Sequence, residues 1–130
     1  MVRIVAGLFL IAHGLIHLSY VTPKPKDAAA SYPFVPEERW FAHALGLSPS
    51  AARAIAGTLA IVCVLLYAVA GIALLADAGI WEGAAVAGSA ISLLLMLLFF
   101  HPWLLLGIAI DVAIIGSVLS WHVPAALFED

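Results

Sequence analysis

The stretch GLFLIAHGLIHLSY, residues 7–20, sets His13 and His17 four positions apart in a run whose only other ionisable group is Tyr20. On a helix that spacing stacks both imidazoles on one face, one turn apart. Such a pair can ligate one metal ion, pass protons, or donate hydrogen bonds to a polar ligand. Asp111 is the one carboxylate within a later apolar run; adding it would give a two-histidine, one-carboxylate set suited to iron or zinc. The five histidines of the chain are too few for a histidine-rich membrane di-iron site. Ligands on adjacent turns cannot take the two opposite axial positions of one haem. The bland reading is that the imidazoles hydrogen-bond between helices and hold them together. All three readings, metal, proton relay or ligand pocket, and structural glue, stay open on spacing alone.

The elements that must position these residues are membrane spans. Of 130 residues 65% are hydrophobic and 10% charged, too few polar residues to clothe a water-soluble domain of this length. Between Arg53 and Asp130 the further charges are only Asp77, Glu82, Asp111 and Glu129. Four runs, about 3–21, 53–76, 81–100 and 103–121, are long enough to cross ~30 Å of hydrocarbon. Pro102, in FFHPW, disfavours helix at His101 and suits the first turn of the fourth span. The expected fold is an all-α, integral membrane four-helix bundle in a single domain, 1–130. Residues 1–21 are read as a retained span, since the run is long for a signal core and broken by histidine.

Counting along these spans places the polar residues by depth. His13 on the first span and Asp111 on the fourth both fall near the bilayer midplane, with His17 ~6 Å nearer the loop between spans one and two. Tyr67 on the second span and Ser92 on the third lie close to the same level. A carboxylate at that depth costs about 2.5–3.5 kcal/mol even on the lenient insertion scale, so Asp111 needs a donor. The two histidines are the nearest candidates. The expected polar cluster is therefore His13, His17, Asp111, Tyr67 and Ser92, as ligand-binding or proton-relay residues.

The loop, 22–52, holds five of the seven prolines. Within it PEERWFAHALG, 36–46, reads as a short interfacial helix opened by Pro36 and closed by Gly46, with Trp40, His43, Ala44 and Leu47 on one face. Ser48-Pro49 reads as a cap and first-turn proline leading into span two. Lys24, Lys26, Arg39 and Arg53 on the loop side outweigh Arg3 opposite, which places the loop in the cytoplasm. Trp81, Trp103, Trp121 and His122 mark the interfaces, and His101 caps a turn or snorkels. Cys63 is a single buried thiol, and with no basic cluster nucleic acid is excluded as a partner.

The opening VRIVAGLFLIAHGLIHL, with Arg3, Gly7, Phe9, Gly14 and a polar residue at 17, resembles that of the DoxX-like small membrane proteins. The order of one span, a proline-containing loop and three further spans is similar too, as is the lead-in HALGLSPSAARAIAGTLAIV. Where members of that family often carry lysine, this chain has His17. The resemblance implies a link to respiratory quinone and sulfur redox chemistry in a bacterial-type inner membrane. The expected function is service to a membrane redox system, with a quinone-like amphiphile, or an iron or zinc ion, at the His/Asp cluster. The alternatives are a non-catalytic accessory subunit, and an oligomeric proton or small-solute transporter. The expected partners are the lipid bilayer and other membrane subunits or further copies of the chain.

Overall fold

In the computed structural model the described residues are 1–120, and they form helices and turns without a strand. The order is α1 (Val2–Ile16), a 3-10 turn (His17–Tyr20), a second 3-10 turn (Pro36–Glu38), α2 (Trp40–Ala44), α3 (Pro49–Leu75), α4 (Trp81–Leu98), a third 3-10 turn (Pro102–Leu104) and α5 (Leu105–Ser120). Four helical segments are long and apolar enough to cross a membrane: Val2–Tyr20, Pro49–Leu75, Trp81–Leu98 and Pro102–Leu119. The architecture is an all-α four-helix bundle with a short helix between its first two spans. Trp121 and His122, expected at an interface, lie outside the described residues.

α3 is the central helix, packed against α1 on one side and α4 on the other. Among its buried positions Ala52, Ala56, Ala60, Cys63, Tyr67, Ala70 and Leu74 recur every three or four residues and so form one stripe, widened by Gly71 and Ala73 near its end. Small side chains dominate that stripe because lipid supplies no hydrophobic drive between helices; close backbone approach and dispersion must do the holding. The approach is tightest where α1 crosses α3. A Cβ at Gly71 would sit 2.6 Å from the Gly7 carbonyl oxygen, and one at Gly14 would sit 2.6 Å from Tyr67 Cβ. Alanine at either place would force the two helices apart. Gly14 thus seats the Tyr67 ring directly against the helix that carries both histidines.

The turns follow local chemistry. Ser48 Oγ accepts from the Ala51 amide as N-cap of α3, with Pro49 in the first turn. Gly46 takes φ +60 where the loop helix ends. His101 is extended ahead of Pro102, and its Nδ1 accepts from the Trp103 amide. The segment 36–46 departs from the single helix expected. It is split at Arg39, which is extended at φ −98, ψ 158, into a three-residue turn and the five-residue α2. The tertiary pull on Arg39 accounts for the break: its guanidinium donates back to the Tyr32 carbonyl. Phe41 and Ala42 pack inward, and Trp40 Nε1 donates to the Leu97 carbonyl at the end of α4. His43 is exposed.

α5 differs from the rest. It leans on α4, and from Leu105 to Leu119 the only buried residue is Asp111. An outer helix whose single interior side chain is a carboxylate must place that carboxylate where donors already wait.

Candidate functional site

The donors come from two helices, and a third supports one of them. His13 Nε2 donates to Asp111 Oδ1 at 2.8 Å, and the Tyr67 hydroxyl donates to the same oxygen. Having given its proton to Asp111, the Tyr67 oxygen accepts from Ser89 Oγ at 2.8 Å. The chain therefore runs from Ser89 through Tyr67 to Asp111, with His13 meeting it from the other side. Asp111 is 0% exposed and His13 6%. The second oxygen of Asp111, Oδ2, is buried and has no hydrogen-bond partner among the described residues.

His17 stands beside this chain and belongs to another. Its Nδ1 lies 3.2 Å from both the His13 and Gly14 carbonyl oxygens. Carbonyls only accept, so Nδ1 carries the hydrogen, and the neutral ring offers Nε2 as an acceptor. Ser92 Oγ, 2.7 Å from Nε2, is then the donor. His13, with its hydrogen on Nε2 toward Asp111, has the opposite arrangement whenever it is neutral. Two histidines four positions apart on one span thus have opposite tautomers. Their rings meet edge to face at a centroid distance of 5.6 Å, and Tyr67 packs against both.

The structure brings together all five residues singled out from the sequence, in two hydrogen-bonded sets. It does not arrange His13, His17 and Asp111 as metal ligands. Among the described residues no group of three or more His, Cys, Asp or Glu side chains could hold an ion. The physical reason is that both nitrogens of His17 are committed, one to α1's own carbonyls and one to Ser92. Ser89 was not anticipated. Its spacing of three before Ser92 on α4, at the level of Tyr67, is the signal that could have found it.

A cavity of about 200 Å³ opens beside the two histidines, between α1 and α5. Its walls include Ile16, Leu106, Ile110, Met96 and the aromatic rings of Phe34 and Trp103. Gly107 leaves room there on α5; a Cβ would come within 2.9 Å of Met96 Sδ. Tyr20 and Phe34, in edge-to-face contact at 5.1 Å, close the cavity on the loop side. Composition reveals none of this, because the wall is assembled from α1, the loop, α4 and α5.

Cys63, fully buried, stands 4.0 Å from the Gly88 carbonyl and takes no part in either set. At the two faces lie ion pairs of ordinary kind, Arg3 with Asp77 at 3.0 Å and Arg53 with Glu37. No protein-family model matches the chain, and no curated protein or solved structure is significantly similar to it.

Proposed function

We propose that this chain is a small integral membrane protein of the DoxX-like kind that serves a membrane redox system by binding a quinone-like amphiphile beside His13 and His17. The observation that carries the reading is the apolar, aromatic-walled cavity that meets a buried His–Asp–Tyr chain. Pockets for drug-sized ligands run to about 300–1,000 Å³. One of about 200 Å³ suits a single ring, with an isoprenoid-type tail left among the acyl chains. A quinone ring needs flat apolar walls and a donor at its carbonyl oxygen. Phe34, Trp103, Ile110 and Met96 supply the walls. His13 supplies the donor when its ring is protonated at both nitrogens: Nε2–H stays on Asp111 and Nδ1–H is left for the ligand.

Bound quinone would supply the redox chemistry; the residues of the chain hold the ring and handle a proton. Asp111 balances the imidazolium charge and fixes the ring's orientation, and Tyr67, seated by Gly14 and supported by Ser89, fixes Asp111. Loss of the proton from His13 Nδ1 returns the ring to neutrality without disturbing the Nε2 bond. A bacterial-type inner membrane is the setting that the DoxX-like resemblance supports.

Equilibrium titration of purified protein with a short-chain benzoquinone tests this reading. Wild type binds, and His13→Ala binds at least about tenfold more weakly, the loss of roughly one hydrogen bond to a charged donor. Equal affinity in the two discards the assignment. The accessory-subunit reading is favoured by one observation, that Asp111 is the one buried side chain of α5 between Leu105 and Leu119; on that reading His13→Ala lowers stability and leaves quinone affinity untouched.

A further inference from the structure

Two cavities share one wall. The histidine cavity lies within the span region, while a larger one of about 590 Å³ opens on the loop face and is lined by Thr22, Lys24, Glu37 and Arg53 among others. Tyr20 and Phe34 line both. Tyr20 closes the 3-10 turn that begins at His17, and residues three apart eclipse in that geometry, so its ring continues the column of the histidine. The ring is 5% exposed, yet its hydroxyl is buried with no partner among the described residues. Glu37 Oε2 and Arg39 Nε, on the loop that carries Phe34, are buried and unpartnered in the same way. Polar atoms so placed, beside a roomy polar cavity, are what ordered water satisfies. A tyrosine at the boundary of an apolar site would otherwise serve as well as phenylalanine.

We propose that water reaches the histidine cavity from the loop face, through a passage gated by Tyr20 and Phe34, so that protons exchanged at the site come from that face. The amphiphile enters sideways from lipid between α1 and α5, and the proton enters along the membrane normal. The passage concerns the same site as the proposed function and rests on that reading only for the use made of the protons. The titratable and charged groups around the gate are His17 on its own helix, Arg39, Glu37 and Lys24 from the loop, and Cys63 and Arg53 from α3. Phe34 is the movable leaf. It belongs to a loop segment with no helix of its own, tied to the bundle by hydrogen bonds on its C-terminal side, Arg53 to Glu37 and Trp40 to the Leu97 carbonyl.

The experiment is sided thiol labelling of the full chain in sealed vesicles. Cys63→Ala removes the native thiol, and Ile110→Cys places a new one in the wall of the histidine cavity, beyond the gate. Trypsin cleavage after the exposed Lys26 reports which vesicles present the loop face outward. A membrane-impermeant cationic thiosulfonate is then added outside. The expected result is reaction roughly tenfold or more faster from the loop face than from the other, because only a water-exposed thiol ionises and reacts. Phe34→Trp, which thickens the gate, slows it further, and Leu8→Cys, turned to lipid, is silent from both faces. Met96→Cys, in the same wall, serves if Ile110→Cys does not fold. Faster reaction from the far face, equal rates, no reaction in a folded variant, or indifference to Phe34→Trp overturns the passage. Labelling is read without quinone, so a failure of quinone binding leaves this result standing, and the reverse holds too.

Discussion

Asp111 and Glu37 are bonded alike and placed in opposite surroundings. Each accepts two hydrogen bonds on one oxygen, from His13 and Tyr67 in the first case and from two nitrogens of Arg53 in the second, and each leaves its other oxygen buried without a partner among the described residues. Asp111 and both its partners are interior. Arg53 is 66% exposed at the loop face, so water and salt screen the attraction to Glu37. Coordination is therefore not what distinguishes the buried cluster here. The dielectric is. Removing a partner in the interior strands a polar group away from bulk water, whereas at the loop face bulk water replaces it at once.

The largest expected effect is that of Asp111→Leu. It leaves His13 Nε2–H and the Tyr67 hydroxyl without an acceptor and unfastens α5, for a loss on the order of 3–5 kcal/mol, the cost of breaking a buried charged pair. Thermal unfolding in mild detergent reads it, and Asp111→Asn, which keeps an acceptor oxygen, should lose clearly less. If leucine matched wild type, the interior would be no more demanding than the rim, and the contrast with Glu37 would collapse.

Tyr67→Phe comes next. It deletes one donor to the carboxylate and leaves packing against Gly14 intact, so a loss of about 1.5–3 kcal/mol is expected by the same measurement. A double substitution with Asp111→Asn sharpens the point: the two effects should fall short of additive, because they act on one bond.

The smallest effect belongs to Glu37→Gln, which should move the unfolding temperature within the scatter of surface substitutions. Its signature is pH dependence. The hydrogen bonds from Arg53 hold the Glu37 carboxyl below its ordinary value. A depressed carboxyl contributes stability that is full above the ordinary pKa of about 4.5 and is lost as pH falls through the lowered value. Wild type and Glu37→Gln should therefore differ at neutral pH and converge in acid. A gap that widens as pH falls would contradict the assigned cause.

The levels at which helices meet were legible by counting. His13 meets Asp111 at the counted level because the rise per residue is constant and spans alternate in direction, while His17, expected as a second donor to Asp111, bonds Ser92 instead. Ser48-Pro49 and His101-Pro102 announced their turns because capping and the proline ring act within a few residues. Side-chain direction around a helix was legible only where small residues marked a face, which is why Ser89 escaped notice although Ser92 did not. The gate of Tyr20 and Phe34 was beyond reach, since it depends on how a proline-rich loop folds back over α1. For the same reason 36–46 reads as one helix in sequence and is two pieces in space: the pull of the Tyr32 carbonyl on Arg39 outweighs local propensity.

The most direct test of the buried centre as a ligand site is nitrogen-15 NMR of the histidine rings, with and without a short-chain benzoquinone. At neutral ring charge His13 should carry its hydrogen on Nε2 and His17 on Nδ1, and the quinone should move the His13 Nδ1 resonance while leaving His17 nearly in place. Identical tautomers, or a His13 ring indifferent to saturating quinone, would contradict the account.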